Sequence, residues 1–278
     1  MDFDTLVLGG GGIKCIAMLG ALQYLYDNGA GHVFKKYIGT SAGSMICFFL
    51  SIGYTPVELI ACICTREILE SLLPVDVVSL VTGHGAISYA KLDAHLRAMV
   101  YSKIGRESIT FQQLLDEYGI TLVCTTYNMT KNICEYLSHE TYPAMDCLMA
   151  VRMSSAIPIV FDECEYGGSI YLDGGIVDNF SITVAQPMDK VFGCVMFTEY
   201  KKLGEQNRIL SLLRILVTVS SNFYIDRVLQ NYPQHQILRL SVENIDLFEF
   251  KQTRPRLLDM FSSGYNNCQV FFKSCKDK

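Results

Sequence analysis

The sequence is poor in charge and has no cluster of one sign. Charged residues make up 18% of its 278 residues, and 23 basic against 28 acidic side chains give a formal net charge of −5. Because no long basic run occurs, we do not expect nucleic acid as a partner. Half of the residues are hydrophobic, which is apolar for a soluble protein and allows a large core.

No apolar run is long enough to span a membrane. The most apolar stretch, residues 45–50, reaches Gly53 and then meets Pro56 and Glu58, whereas a spanning helix needs roughly 20 apolar residues. We expect a buried core helix there. Residues 1–4 also lack the basic start and apolar stretch of a signal peptide. The expectation is a cytoplasmic or intracellular protein that is at most peripheral at membranes.

Eleven cysteines are scattered and embedded in apolar runs such as residues 60–64. Without a signal peptide, this distribution predicts free thiols in a reducing compartment rather than disulfides. Cys62 and Cys64 are separated by one residue, and no second Cys/His pair has finger-like spacing. We therefore expect no metal site and no cofactor.

Short strands and helices alternate at the start of the chain. A strand at 4–8 ends at four glycines, and apolar residues then recur at helical spacing from Ile16 to Tyr26. A second strand at 36–38 leads to a turn at Ser41 and an apolar helix from Ala42. This order predicts an α/β fold with a largely parallel sheet. Both turns should lie at the carboxyl ends of strands, where such sheets bind ligands.

The rest of the chain reads as a continuation of one domain. The patterns predict a mainly helical region at 56–118 with a turn at 83–85, paired strands at 121–126 and 133–137, a helix at 145–155, short strands around Val160 and Ile170, a strand at 191–198, a long helix at 208–228, a strand at 237–240, and a C-terminal helix with Leu258, Phe261, Tyr265, Cys268 and Phe272 on one face. Since no repeat or linker divides the chain, we expect a single domain over residues 1–278.

The first motif comprises four glycines, residues 9–12, followed by Ile13 and Lys14. Glycine lets backbone N–H groups approach a ligand, and a helix start adds a favourable dipole for an anion. An oxyanion-binding loop is therefore one interpretation, and a plain strand-to-helix turn is the other. A P-loop is excluded because no Ser or Thr follows Lys14, and a dinucleotide fingerprint lacks its last glycine.

The second motif, Gly39-Thr40-Ser41-Ala42-Gly43, has the small flanking residues of a nucleophile elbow. An extended run precedes it and a long apolar helix follows, as that interpretation requires. The alternative is that Ser41 only caps the helix, and the two interpretations are compatible.

The third motif, Asp173-Gly174-Gly175, offers a carboxylate base in a turn that permits close approach, although an ordinary Asp-Gly turn has the same pattern. Serine needs a base to become a nucleophile. A Ser-His-Asp triad through His235 is the competing hypothesis. It is disfavoured because Ser41 follows only the second strand and His235 lies in a predicted exposed turn.

Together the motifs resemble the patatin-like phospholipase family, which includes the catalytic domain of cytosolic phospholipase A2. Residues 154–158 and 173–180 also resemble the family's small-residue segment and extended base motif. The resemblance covers about residues 4–185. It implies Ser41 as nucleophile, Asp173 as proton acceptor, and an oxyanion loop, and the supporting glycines are those of the motifs: Gly10, Gly11 and Gly12 in the loop, and Gly39, Gly43, Gly174 and Gly175 around the dyad. Two departures are Gly9, where aspartate is common, and Cys15, where glycine is usual.

The resemblance implies a three-layer α/β/α sandwich and a lipid acyl hydrolase of the phospholipase A type that acts through an acyl-enzyme. Lipid substrate would be met by transient surface contact. Candidate contacts are residues 72–81 and the C-terminal helix with Phe261, Phe271 and Phe272, although core packing is the favoured interpretation of each. Lys14 either contacts lipid head groups or is simply solvated. A transacylase, a neutral-lipid esterase and a catalytically silent lipid-binding protein remain alternatives.

Overall fold

A computed structural model of the chain describes residues 2–31, 33–65, 88–158, 160–197, 222–223, 225–232, 236–243, 245 and 252–276. The predicted 83–85 turn, the proposed membrane-contact region at 72–81, most of the predicted 208–228 helix and His235 lie outside these residues. The described residues of that predicted helix, 222–223 and 225–228, are helical, and the helical segment at 225–231 continues beyond its predicted end.

The strands, in chain order, are β1 (Thr5–Leu8), β2 (Lys36–Thr40), β3 (Thr121–Asn128), β4 (Ile133–Leu137), β5 (Cys164–Tyr166), β6 (Ser169–Asp173), β7 (Val191–Phe197) and β8 (Gln236–Ser241). They form one sheet in which hydrogen bonds join β5 to β6, β6 to β3, β3 to β2, β2 to β1, β1 to β7 and β7 to β8, and β4 also pairs with β3. The pairings of β3 with β2, of β2 with β1, of β1 with β7 and of β7 with β8 are parallel, whereas β4, β5 and β6 join by antiparallel pairing. The predicted α/β fold with a largely parallel sheet is confirmed.

The helices are α1 (Ile16–Asp27), α2 (Ala42–Ser51), α3 (Pro56–Ile63), α4 (Tyr89–Ile104), α5 (Phe111–Tyr118), α6 (Cys147–Ser154) and α7 (Arg254–Lys276). A 3₁₀ turn, Gly12–Cys15, runs directly into α1. Local sequence fixes several helix starts, since Thr55 and Thr110 each form a capping box with the residue three positions on. Among the described residues, none of the helices combines the length and apolarity that crossing a membrane requires.

Alternate residues of β1 face different layers. Leu6 and Leu8 belong to the larger core, which contains residues of α1 to α7. Val7 belongs to a second cluster together with Phe180 and with Ile225 of the 225–231 helical segment. Because successive side chains of a strand point to opposite faces, both faces of the sheet are covered, which gives the three-layer arrangement.

Two sequence-based predictions need correction. The apolar residues around Val160 form a turn rather than a strand, because Phe161 N donates to Ile157 O at 3.1 Å and the side chains fill the core. The predicted strand around Ile170 is confirmed as β6, and its partner is β5, to which it is joined through Gly167 and Gly168 with positive φ. On α7, Leu258 is 51% exposed.

The buried face of α7 instead begins at Leu257 and continues through Met260, Gly264, Cys268 and Phe272. The reason is a close crossing with α1: a Cβ on Gly264 would lie 1.8 Å from Ala17 O, and one on Gly20 would lie 1.8 Å from Phe261 O. Phe272 packs against Phe192 and Tyr24 in the core, and Phe261 and Phe271 pack against the same core. Core packing, the favoured interpretation of these phenylalanines, is confirmed.

Candidate active site

Strand register brings Ser41 and Asp173 together. β2 runs parallel to β3 and ends with Thr40 opposite Thr125. β6 runs antiparallel to β3 and ends with Asp173 opposite Thr126. Because β4 pairs with residues 124–128 of β3, β2 and β6 must share the other edge, and their carboxyl ends face each other. The partners of Thr40 and Asp173 on β3 are adjacent residues, so Ser41, the residue after β2, lies next to Asp173.

The backbone at Ser41 is strained, with φ 55° and ψ −127°, a conformation that residues with a Cβ rarely adopt. The flanking glycines make it possible. A Cβ on Gly39 would lie 2.4 Å from Ser44 Cα, and one on Gly43 would lie 2.5 Å from Leu8 O. This is the sharp strand-to-helix turn that a nucleophile elbow requires.

The hydroxyl of Ser41 donates a hydrogen bond to Asp173 Oδ2 at 2.5 Å. The other carboxylate oxygen, Oδ1, accepts from the backbone N–H of Gly175 at 2.7 Å. Both side chains are buried, each in a residue 6% exposed. Burial raises the pKa of Asp173 from its ordinary value of 3.8 to about 6, and the bonds from Ser41 and Gly175 oppose that rise. Asp173 is thus a carboxylate poised to accept a proton near neutral pH.

The turn at Asp173, Gly174 and Gly175 (the base turn) needs its glycines for the same steric reason. A Cβ on Gly174 would lie 2.3 Å from Thr125 O, and one on Gly175 would lie 2.9 Å from Asp173 Oδ1. Both positions therefore permit the close approach of the turn to β3 and to the carboxylate.

The glycine loop lies beside this pair, and a Cβ on Gly10 would come within 3.0 Å of Ser41 Cβ. Gly11 caps the 3₁₀ turn that Gly12 opens with a positive φ of 56°. Amides at a helix start lack partners within the helix. The N–H groups of Gly11 and Gly12 are therefore of the type that can donate hydrogen bonds to an anion. The amide of Gly10 instead donates to Asn179 O and Asn179 Oδ1, each at 3.2 Å. Of the three predicted oxyanion donors, the Gly10 N–H thus already has partners in Asn179, and those of Gly11 and Gly12 stay candidates.

The two departures from the family pattern both fit the packing. A Cβ on Gly9 would lie 2.9 Å from Asn179 O, which leaves no room for an aspartate. Cys15 is buried, and its thiol donates to Gly9 O at 3.8 Å. Burial raises the pKa of Cys15 to about 12, so its sulfur stays protonated and is a poor nucleophile.

Lys14 neither faces solvent nor lies where a lipid head group could reach it. Its side chain is among the largest fully buried ones, and the residue is 2% exposed. The expectation that it contacts lipid head groups or is solvated is wrong, because the 3₁₀ turn that carries it is packed into the protein along with Ile13 and Cys15.

An apolar pocket of about 990 Å³, its open mouth included, begins at Ser41 and Gly12. It lies among four helices, with lining residues Ile16 and Leu19 of α1, Ala42, Met45, Ile46 and Phe49 of α2, Leu59 and Ile63 of α3, and Leu92, Leu96 and Met99 of α4. Since α1 and α2 both start at the dyad, the pocket extends away from their N-termini. Its chemistry suits a hydrocarbon chain.

Sequence reasoning did not assign the structural roles of several hydroxyls and one amide around the site. Ser154 Oγ accepts from Ser41 N at 2.9 Å. Ser181 Oγ lies 3.2 Å from Thr40 Oγ1 and 2.6 Å from Thr125 Oγ1, and Asn179 binds the glycine loop. Ser154 and Asn179 lie in segments that the family resemblance had marked, but polar residues in loops have many uses, so only the folded contacts reveal these roles.

In the part of the chain that the structure describes, the hydrogen-bond partners of Ser41 and Asp173 include no histidine. His235, the base of the triad hypothesis, falls in the part of the chain that is not described. Over the described ranges, no three His, Cys, Asp or Glu side chains are grouped so that they could hold a metal ion. The cysteines whose side chains are described carry free thiols.

Comparison with known proteins agrees with this geometry. A model of the patatin-like phospholipase family matches residues 6–185. A protein named probable lipid hydrolase 463L, from Invertebrate iridescent virus 6, is 35% identical over 188 residues, which are 66% of this chain and 63% of that protein. YqhO of Bacillus subtilis is 25% identical over 288 residues, covering 96% of this chain and 97% of YqhO. The chain thus spans less than two thirds of the viral relative.

Solved structures with the same fold include VipD from Legionella pneumophila, with a TM-score of 0.61 and 16% identity over 99% of this chain and 67% of VipD. The type III effector protein ExoU follows with a TM-score of 0.53 and 14% identity over 99% of this chain and 53% of ExoU. These likenesses concern the fold. With the family model matched over more than half of its length, the chain belongs to the patatin-like phospholipase family.

Proposed function

We propose that the protein is a lipid acyl hydrolase that cleaves acyl esters of glycerolipids by a Ser41–Asp173 dyad. The observation that carries the proposal is the 2.5 Å hydrogen bond between Ser41 Oγ and Asp173 Oδ2 at the mouth of an apolar pocket. Family membership and the name of the iridescent-virus relative, a probable lipid hydrolase, support the same reaction class.

Asp173 accepts the Ser41 proton as Ser41 Oγ attacks the ester carbonyl. The carbonyl oxygen becomes an oxyanion, and the tetrahedral centre then collapses, with the proton passing from Asp173 to the departing alcohol or lysolipid. An acyl-enzyme on Ser41 remains. Water, deprotonated by Asp173, attacks this ester and releases the fatty acid, and the proton returns to Ser41.

The amides of Gly11 and Gly12 are the proposed oxyanion donors. They lie at the start of the helix that continues into α1, where the helix dipole favours negative charge. One preorganised donor of this kind is commonly worth about 3 kcal/mol of transition-state stabilisation.

The acyl chain occupies the pocket. Its wall residues are apolar, and Ala42, Met45, Ile46 and Phe49 follow one another down α2 from the nucleophile. From Ser41 to Phe49 this path is about 12 Å long at 1.5 Å per residue. Burial of methylene groups there supplies binding energy of about 0.8 kcal/mol each, which favours lipid esters over short water-soluble ones.

The test is fatty-acid release from mixed phospholipid vesicles by the purified protein, beside Ser41→Ala and Asp173→Ala. The proposal expects release by the wild type and its loss in both variants, with Ser262→Ala, an exposed serine of α7, as the matched control that retains activity. Neutral glycerides and an acyl-acceptor alcohol are assayed in parallel, because preferential transfer would identify a transacylase. Binding without turnover by folded wild-type protein would identify a silent lipid-binding protein.

A further inference from the structure

Asn179 lies between the glycine loop and the base turn and contacts both. A Cβ on Gly10 would be 2.5 Å from Asn179 Oδ1, and a Cβ on Gly175 would be 2.8 Å from the same atom. The side-chain amide therefore fills the space that a side chain at either glycine would need. Asn179 therefore touches two of the three motif segments from between them.

The amide group of Asn179 pairs with Gly10 in both directions. Gly10 N donates to Asn179 Oδ1 at 3.2 Å, and Asn179 Nδ2 donates to Gly10 O at 3.4 Å. The backbone carbonyl of Asn179 adds a third contact, from Gly10 N at 3.2 Å. Both polar groups of Gly10 are thereby held from one side.

The bond to Gly10 O has a consequence for the next residue. The carbonyl of Gly10 and the N–H of Gly11 belong to one planar trans peptide, so they point in opposite directions. Fixing the carbonyl toward Asn179 turns the Gly11 N–H away from Asn179. Glycine has unusually wide backbone freedom. A contact from another segment is therefore needed to hold the Gly11 N–H in one direction.

Asn179 is itself tied to the two catalytic residues through its neighbour. Asp178 O accepts from Thr40 Oγ1 at 3.1 Å, and Thr40 precedes the nucleophile. Asp178 N donates to Gly174 O at 2.9 Å, and Gly174 follows the base. Loop, nucleophile and base thus share one hydrogen-bonded frame, with Asn179 as its contact to the loop.

We propose that Asn179 is a positioning residue that orients the Gly11 amide toward the oxyanion. The inference rests on the proposed function, since it assigns the amide whose direction that reaction needs. Asn179 acts through Gly10 and does not touch the reacting atoms.

The test compares Asn179→Ala and Asn179→Asp with the wild type on a fatty acyl ester and on its thiono analogue, in which sulfur replaces the carbonyl oxygen. Asp keeps an acceptor for Gly10 N but cannot donate to Gly10 O. Loss of an oriented oxyanion donor lowers kcat for the oxygen ester by roughly tenfold to hundredfold with little change in KM. Sulfur benefits less from such donors, so the oxygen-to-sulfur rate ratio falls in both variants.

Val177→Ala, an exposed position in the same segment, is the matched control and keeps both kcat and the ratio. Thermal unfolding of each variant accompanies the kinetics. Equal losses on both esters, or unchanged kcat in Asn179→Ala, would overturn the inference while leaving the dyad intact. A wild type that cleaves neither ester would overturn the proposed function itself, which separates the two failures.

Discussion

Asp173 carries a charge in a place where charge is costly. Its carboxylate is buried and has Ser41 and Gly175 as hydrogen-bond donors, with the protonated form favoured up to about pH 6. A carboxylate with an ordinary pKa of 3.8 would be a weak base toward a serine hydroxyl. Burial therefore brings the pKa of Asp173 into the range that the proposed proton transfer from Ser41 needs.

The raised pKa predicts the low-pH limb of activity. The base works only when ionised, so the rate should be constant above about pH 7 and fall about tenfold per pH unit below the pKa of about 6. The measurement is kcat/KM on a soluble fatty ester against pH, with circular dichroism confirming that the fold persists. A rate that stays constant down to about pH 4 would show that Asp173 is not the titrating base.

The same pKa predicts that Asp173→Asn stabilises the fold at neutral pH. The folded state holds the proton more tightly than the unfolded state, so stability is lost as pH rises from 3.8 to about 6. Above about pH 6 the free energy of unfolding is lower by the full amount, about 3 kcal/mol. Asparagine avoids it and retains partners for Ser41 and Gly175.

Thermal unfolding should show the advantage of Asp173→Asn over the wild type growing from about pH 4 to about pH 7. Asp259→Asn, an exposed carboxylate on α7, is the control and should show no such growth. An advantage of Asp173→Asn that does not change with pH would contradict the raised pKa.

At the scale of elements, α1 and α2 begin at the same place and serve two purposes. The proposed oxyanion amides lie at the 3₁₀ turn before α1, the proposed nucleophile Ser41 directly precedes α2, and later turns of both helices line the pocket. Under the proposed function, the distance down α2 sets how much of an acyl chain is enclosed.

Filling the pocket should shift acyl preference. Met45→Trp places a larger side chain one turn below Ser41, so turnover of long-chain esters should fall at least tenfold while short-chain esters are largely unaffected. Val57→Trp, at an exposed position of α3, is the control. Rates measured across a chain-length series decide the matter, and parallel losses at every length would contradict this use of the pocket.

The crossing of α1 and α7 depends on two glycines that approach backbone carbonyls of the facing helix. Gly264→Ala should lower the free energy of unfolding by roughly 2 kcal/mol, because the added Cβ forces the helices apart, although alanine is intrinsically favoured in a helix by about 1 kcal/mol. Asn266→Ala, exposed on the same helix, should be neutral or slightly stabilising. Denaturant unfolding in which Gly264→Ala matches or exceeds the wild type would refute the crossing.

At the scale of the whole molecule, the local secondary structure could largely be predicted from the sequence. The strand ends before Gly9 and Ser41 could be predicted because apolar runs and glycines are local signals, and β1, β2, β3, β4, β7 and β8 lie where those signals indicate. The proposed dyad came from the third motif, from the argument against His235 and from the family resemblance together, since nothing near Ser41 in the chain indicates residue 173.

What sequence could not supply is pairing and packing between distant segments. The meeting of β2 and β6 on one edge of β3 follows from register, and Val160 was misassigned because burial looks alike in turns and strands. The burial of Lys14, the α1–α7 crossing and the engagement of Gly10 by Asn179 likewise join residues far apart in the chain. Such contacts are decided by the tertiary fold, which overrides local preference.

The most direct test of the whole account is to trap the acyl-enzyme. Protein turning over a fatty acyl ester is quenched in acid and its peptides are analysed by mass spectrometry. We expect one acyl group in the wild type, on the peptide that contains Ser41. The acyl group should be absent from Ser41→Ala and strongly reduced in Asp173→Asn. An acyl group on another residue, or undiminished turnover by Ser41→Ala, would contradict the account.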